Sequence, residues 1–409
     1  ANNYFTRTDY EVVGWSTTDG GAETHAFGST YSTNANLVLY PVWSSGKTVT
    51  WDSNGGSAVA ATDFFAGDTI AEPTAPTKSG KVFVGWSTSE NADQGDIANR
   101  VETWPYDPAS DVDFTLYAIW LDACTPTEST FTATGTTDIT SATYGTNGVS
   151  YKELTFDSTT DCGWVVPTGV SAADVLIVAG GGSAGYGQRA GGGGAGEVLY
   201  PASSLSLTAG QQLLIDVGAG GTFNDSTRRG NDGADSRFGY FEALGGGAGG
   251  GGNTGYAGQD GGSGGGADRC SVSPQSGLSL STDRYTQFVE LGNNGGSVVG
   301  SCTAAQPGAG GGGAGSAGNN SGVGIANSGA GGTAVKVFGR VLAGGGAAWN
   351  SAANLGGGLD GTRVGGSWVG FKAAGNNGVN GTGSGASSSG IGGSGLIVIR
   401  YVQPTATLT

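Results

Sequence analysis

Asp174–Gly196 reads DVLIVAGGGSAGYGQRAGGGGAG, and its interpretation decides the fold. A short apolar run, Val175–Ala179, feeds directly into glycine. Near the other end the order reverses, because Gly390–Val402 reads GIGGSGLIVIRYV. Between these two strands lie most of the chain's 84 glycines. Ordinary glycine usage is about 7%, so the enrichment needs an explanation. The segment is a nucleotide loop, a flexible linker or a built structure.

Local physics disfavours the first reading. Gly180–Gly185, GGGSAG, follows a strand and matches G-x-G-x-x-G. A dinucleotide site needs a helix to begin there, its N-terminus facing the pyrophosphate. The next residues, YGQRAGGGGAG, do not sustain one, since each Gly costs about 1 kcal/mol relative to Ala. Collagen is excluded by the irregular glycine spacing and by only 11 prolines. A flexible linker is opposed by recurrent apolar strands and by two cysteines, Cys270 and Cys302, inside the segment. Ordering a residue costs roughly 1–2 kcal/mol, with glycine at the expensive end. Polyglycine II helices resemble polyproline II, with three residues per turn and no internal hydrogen bonds. Packed side by side, they bond to one another as strands do. The runs Lys336–Ala343, Ser367–Phe371 and Leu396–Val402 then supply a sandwich or rim. Trp349 and Trp368 are expected to cap the bundle, and Val175–Ala179 and Leu396–Tyr401 to share one sheet.

The remainder also reads as strands. Glu153–Phe156, Gly163–Val166, Val198–Leu207 and Gln212–Gly218 are expected strands, and no capped 3.6-residue period appears. The first 120 residues hold an internal repeat. Val12–Thr17, VVGWST, returns within Val82–Thr88, VFVGWST; Asn36–Trp43, NLVLYPVW, returns as Phe114–Trp120, FTLYAIW. β-branched and aromatic residues alternate with polar ones between Gly, Asn and Asp turns. The second copy alone opens with Lys47–Gly56, KTVTWDSNGG, a strand and tight turn.

Lys47–Trp120, with VTWDSNGG, the GDTI of Gly67–Ile70, FVGWST and TLYAIW, resembles the internalin-type B repeat (Listeria–Bacteroides repeat). That resemblance implies a β-grasp-like module of bacterial surface proteins, used as a stalk or in binding. Ala1–Trp43 matches only the second half of a repeat. A sheet lacking one strand exposes an unpaired edge. Three explanations stand open: a degenerate terminal half-repeat, a fragment of a longer protein, or a strand donated by another copy. Val12, Val13 and Trp15 mark the edge nominated for such exchange.

Tyr151–Val402 resembles a bacterial and phage glycine-rich surface domain. The resemblance rests on Trp164–Val170, Val175–Gly182, Val217–Gly221, Asn231–Gly239, Gly245–Gly252 and Gly392–Tyr401, in that order. It implies bundled polyglycine II helices and says little about a ligand. The expected fold class is all-β: β-grasp-like repeats followed by a glycine-rich β-sandwich with a polyglycine II bundle and very little α-helix. The expected organisation is a half repeat over 1–45, a complete repeat over 46–121, a Thr/Ser/Gly linker or edge strands over 122–150, the glycine-rich domain over 151–403 and a tail over 404–409.

The net charge of −16 argues against nucleic acid, which needs clustered Lys and Arg. No run of eighteen apolar residues predicts a membrane span. The chain contains no Met, so a processed extracellular protein with its leader removed is expected. The four cysteines, Cys124, Cys162, Cys270 and Cys302, pair most simply as sequence neighbours, one of three arrangements, and point to an oxidising compartment. No zinc pattern is present. Asp107/Asp111/Asp113 and Asn231/Asp232/Asp235 offer oxygen ligands of the kind calcium takes, but without EF-hand spacing, so calcium is unsupported and no cofactor is expected. His25, the one histidine, reads as a turn residue and leaves no catalytic triad.

These features predict a non-enzymatic extracellular structural subunit or adhesin of a bacterial surface appendage, self-associating or polymerising by donor-strand exchange. The alternative is a phage-type tip module that binds a host-surface or glycan receptor through Tyr186, Tyr256, Trp349 and Trp368.

Overall fold

The computed structural model describes residues 5–33, 35–65, 67–94, 97–108, 112–186, 189–222, 229–251, 256–268, 276–298, 308–322, 329–348, 377–387 and 390–404, with the backbone of 363–364 and 367–368. The chain divides into two compact units, Ala1–Asp122 and Ala123–Thr409. It is all-β; among the described residues the only helical element is a 3-10 turn at Glu90–Gln94.

In the first unit, β1 (Tyr10–Ser16) and β2 (Tyr40–Ser45) form an antiparallel pair. After the single residue Gly46 come β3 (Lys47–Asp52), β4 (Thr62–Phe64), β5 (Val82–Ser87) and β6 (Phe114–Leu121). These form a sheet in the order β4-β3-β6-β5, with β3 parallel to β6. The VGWS repeat is a repeat of register. Val12, Gly14, Trp15 and Ser16 face Trp43, Val42, Pro41 and Tyr40. Phe83, Gly85, Trp86 and Ser87 face Trp120, Ile119, Ala118 and Tyr117. Both ladders slip by one residue before the glycine, a bulge that bends the strand. At Gly85 the bulge requires φ of +141°, and a Cβ there would lie 2.6 Å from Arg100 Nε. The complete repeat buries Val49, Trp51, Phe64, Phe83, Trp86, Leu116 and Trp120 together.

The second unit opens with β7 (Thr127–Thr132), β8 (Ser150–Phe156), β9 (Cys162–Val165) and β10 (Ala172–Val178). Then follow β11 (Val198–Pro201), β12 (Leu205–Ser206), β13 (Gln212–Asp216), β14 (Ser236–Phe238), β15 (Phe241–Ala243) and β16 (Phe288–Leu291). The last strands are β17 (Val335–Val337), β18 (Arg340–Leu342), β19 (Arg363–Val364), β20 (Ser367–Trp368) and β21 (Leu396–Val402). The main sheet runs β16-β11-β10-β21-β8-β7, with β12 also paired to β10. β10 and β21 are direct antiparallel neighbours, from Asp174↔Arg400 to Val178↔Leu396. The entry and exit strands of the glycine segment therefore share a sheet.

A second sheet, β15-β14-β13-β9, packs on one face of the first. There Val175, Ile177, Ile397 and Ile399 meet Trp164, Leu213, Ile215 and Phe238. On the opposite face Leu176, Val178, Leu396 and Val398 meet Phe338 and Leu342 of the β17–β18 hairpin. Burial on both faces explains why these two strands read as unbroken apolar runs rather than alternating ones. The expected strand Val198–Leu207 is two short strands. Pro201, which lacks an N–H, ends the first, and the chain steps to a new partner at Ala172–Ala173. Thr127–Thr132 is an exposed edge strand bonded to β8. No helix among the described residues is long and apolar enough to cross a membrane.

Candidate functional site

The glycine segments form extended rods, and their hydrogen bonds rotate with a period of three. In 191–197, Gly191, Gly194 and Glu197 donate to Gly250, Gly247 and Leu244 on one neighbouring rod. Gly192 and Ala195 donate to Ala309 and Gly312 on a second, and Gly193 and Gly196 to Ala386 and Gly383 on a third. Carbonyls rotate likewise: Gly191 and Gly194 accept from Gly185 and Gly182, Gly192 and Ala195 from Gly266 and Ser263, and Gly193 from Gly346. This rod thus touches six others. The entry rod 179–185 does the same, donating in turn to 191–197, to Ala234 and Asn231, and to Gly393 and Gly390. Glycine is required by contact. A Cβ on Gly192, Gly193 or Gly194 would lie 2.0, 2.1 or 2.1 Å from a carbonyl oxygen of three different rods.

Among the described residues, side chains take the place of a neighbouring rod at several backbone N–H groups. Gly245 and Ala248, three residues apart, donate to Asp235 Oδ1 and Asp232 Oδ1, also three apart, at 2.8 and 2.7 Å. Ile391 and Ser394 donate to Asn377 and Asn380 at 3.0 and 3.2 Å. Asp260, Asn294 and Asn320 accept from Leu278, Ser279 and Ser297. A buried N–H left unpaired costs about 1–3 kcal/mol, so these side chains terminate the bundle. Sequence reasoning missed them, although the signal is there: Asn231-Asp232-Gly233, Gln259-Asp260-Gly261, Asn293-Asn294-Gly295, Asn319-Asn320-Ser321 and Asn376-Asn377-Gly378 repeat one pattern whose middle residue is the cap. Asp232 and Asp235 are thus engaged by backbone. Asp113 accepts Thr48 N at 2.9 Å, Asp107 is exposed, and Asp111 lies outside the described residues. No group of three or more His, Cys, Asp or Glu among the described residues is placed to hold a metal ion.

The rod connections sort by end. One end meets the sheets: 179 follows β10, 197 precedes β11, 235 precedes β14, 244 follows β15, 343 follows β18 and 395 precedes β21. At the other end the rods are bonded in a chain, Gly185 to Gly191, Gly191 to Gly250, Gly250 to Gly266, and Ala309 to Ala267, which in turn donates to Gly296. Among the described residues, Gly185, Gly250, Ala267 and Ala309 lie at that end. Tyr186, next to Gly185, and Tyr256, whose carbonyl accepts from Asp268 N, are 39% and 44% exposed. Trp349 lies outside the described residues. Trp368 is described only as backbone of β20, paired with Arg363.

Cys124 and Cys162 form a disulfide with a Cα–Cα distance of 5.0 Å. It ties the start of the second unit to β9, where Cys124 N also donates to Gly163 O. Cys270 and Cys302 lie outside the described residues, but the rods that precede and follow them meet in the small cluster Ala267, Val298 and Ala309. Val12, Val13 and Trp15 lie in β1; Trp15 bonds its backbone to Thr24 and His25 on the side away from β2. His25 Nδ1 is 3.0 Å from Thr24 Oγ1.

Charged residues of the second unit form three clusters. Arg237 binds Glu242 at 2.6 Å and Asp216 at 3.2 Å, with Asp235 at 3.8 Å. Asp161 and Asp216 hydrogen-bond to each other, which requires a shared proton. Burial, then the neighbouring Asp161 charge, pushes Asp216 up to about 7 against the pull of Arg237. Arg284 bridges the buried carboxylates of Glu197 and Glu290. Glu153 sits across from Arg400 and also binds Arg340 at 2.7 Å. Burial opposes its charge, but the two guanidinium groups outweigh burial and hold it below the usual carboxylate range. Arg400 lies between the rings of Phe131 and Phe338, at 4.6 and 4.0 Å. Each cluster joins separate segments of the fold by ion pairs.

Comparison with known proteins agrees with this architecture. Residues 156–402 match the glycine-rich domain model, and residues 2–42 and 48–119 match the Listeria-Bacteroides repeat domain. A protein of Evansella cellulosilytica named "Putative Gly-rich membrane protein" is 36% identical over 94 residues, 22% of this chain and 10% of that protein. A second from the same organism, named "Putative membrane protein", is 31% identical over 115 residues, 27% of this chain and 16% of that protein. The chain thus spans a small part of these curated relatives. It belongs to the glycine-rich domain family and carries Listeria-Bacteroides repeats ahead of its glycine-rich region.

Proposed function

We propose that this chain is a non-enzymatic, extracellular component of a bacterial surface, in which the glycine-rich unit is a rigid head that binds through its loop end. The rods are read as polyglycine II helices. The observation that carries the proposal is the threefold bonding of rod 191–197 to six neighbours. It supports a bundle whose far end, marked by Gly185, Gly191 and Gly250, stands roughly 20 Å from the sheets at about 3.1 Å per residue over seven residues. Loops on a rigid scaffold are where binding residues concentrate. The exposed rings of Tyr186 and Tyr256 offer flat faces with a polar tip, which suits a glycan or a host-surface receptor. The Cys124–Cys162 disulfide suits an oxidising compartment. A glycan array and a cell-binding assay with the purified chain test this. Binding that falls in the Tyr186→Ala/Tyr256→Ala double variant is expected; no binding, or binding unchanged in that variant, overturns it.

A second reading, a structural subunit that polymerises by donor-strand exchange, is favoured by one observation. The half-repeat forms a two-stranded sheet where the complete repeat forms four strands. Electron microscopy of the concentrated protein distinguishes fibres from monomers.

A further inference from the structure

The chain enters and leaves the second unit at opposite ends of its main sheet. β7 runs in the direction of β21, with β8 antiparallel between them. Thr127, shortly after Cys124, is level with Val398, because both stand opposite Thr155. β8 leaves the same end of the sheet at Phe156 and leads on to Cys162, the partner of Cys124. The entry is stapled there twice, by the disulfide and by the bond from Cys124 N to Gly163 O. The exit lies at the other end, where Val402 stands opposite Tyr151 and Gln403 N donates to Ser150 O. β21 is held on both sides, by β8 along Ile397–Val402 and by β10 along Leu396–Arg400. Arg400 ties it further to β8, its Nε donating to Glu153 Oε2 at 2.6 Å in the buried interior. β7, by contrast, is an exposed edge strand bonded to β8 alone among the described residues.

Tension between entry and exit therefore acts along the axis of β21. It draws β21 lengthwise out of its slot, so the rungs on both sides must fail together rather than in succession. A single ladder bond is modest. Resistance comes from loading many of them at once, and it is read as slow unfolding under force. The disulfide decides what else gives way. Without it, the load would fall first on β7, which is bonded on one side. With it, the load passes from Cys124 straight to Cys162, and residues 125–161 stay closed. We infer that the second unit is a load-bearing link. It resists tension between Cys124 and Val402 by shear of β21 between β8 and β10, and the disulfide carries the load past β7. The inference rests on the surface reading above only for the source of the tension. The resistance itself belongs to the fold, whatever the loop end binds.

Single-molecule pulling on the full chain tests this. Handles on the side chains at positions 123 and 403, both exposed, load β21 lengthwise and leave the first unit slack. Moving the first handle to position 147, in the exposed turn before β8, parts β8 from β21 at one end, rung by rung. At equal pulling speed the 123–403 pair should need several-fold more force. Equal forces, or a weaker 123–403 pair, overturn the inference. In the double variant Cys124→Ser/Cys162→Ser, the 123–403 pair should yield first at lower force. Its full extension should lengthen by about 130 Å, since a separation of 38 residues at about 3.5 Å each is no longer held closed. An unchanged first force in that variant overturns the disulfide's place in the load path. The comparison of handles uses the native protein and stands even where the variant does not fold. A failure here leaves loop-end binding untouched, and a chain that binds no glycan can still pass.

Discussion

Gly193→Ala puts the bundle under direct strain. The new Cβ would lie 2.1 Å from Gly182 O, a backbone atom that cannot swing aside. Ordinary contact begins near 3.4 Å, so the rods must part by about 1.3 Å (3.4 − 2.1). Gly193 also donates to Ala386 O and accepts from Gly346 N, both at 2.9 Å. Overpacking costs about 1–3 kcal/mol, and two weakened hydrogen bonds add about 0.5–1.5 kcal/mol each. The lower entropy of the unfolded alanine chain offsets roughly 0.4–1 kcal/mol. The net loss is about 1–5 kcal/mol, with a midpoint near 3 kcal/mol, or roughly 5–10 °C at that midpoint in the Tm of the second unit. Gly210→Ala is the control. Its φ is +83° but its Cβ meets open space, so it should cost only about 1–2 kcal/mol. Scanning calorimetry on both variants reads the difference. If Gly193→Ala loses no more than Gly210→Ala, close rod packing is not what makes glycine necessary.

Other consequences follow from the same geometry. Asp232→Ala strands the Ala248 N–H and should cost about 1–3 kcal/mol, whereas Asp232→Asn keeps an acceptor oxygen and should cost much less; urea melts compare them. Removing the Cys124–Cys162 disulfide as the double Ser variant frees a loop of sequence separation 38 and should cost about 4 kcal/mol in the chain-entropy estimate, read by chemical denaturation. The Asp161–Asp216 pair holds a proton when folded that the unfolded chain releases nearer the usual Asp value, so the folded state binds more protons between about pH 4 and 7. Stability from this pair is present in acid and is lost as pH rises through about 7, by at most about 1.4 kcal/mol per pH unit. Arg237, itself paired with Glu242 and Asp235, faces the same pair. Asp216→Asn should flatten that slope in Tm-against-pH curves. Mass spectrometry of unreduced peptides should show Cys270 joined to Cys302; any other pairing of these two contradicts the arrangement of their rods.

Much of the fold was legible because its signals are local. VGWS and LYxxW fix the repeat, and their matching bulges follow from the glycine in each. DVLIVA and GLIVIRY announced doubly buried strands, and their adjacency follows from forming the mouth of one glycine segment. What sequence reasoning could not supply was non-local. The order of bonding among rods depends on which glycines meet, and glycine carries no side chain to signal a partner. The Asp and Asn caps were missed because their partners are backbone groups of rods 14 to 23 residues away.

The central claim is that the glycine segment is an ordered, hydrogen-bonded bundle. Native-state amide hydrogen exchange over Gly191–Glu197 tests it most directly, because every N–H there is bonded to a neighbouring rod. The account predicts protection comparable to that of β10 and β21, lost only with global unfolding. Exchange of these glycine amides at the rate of an unstructured chain, while β10 and β21 remain protected, would contradict it.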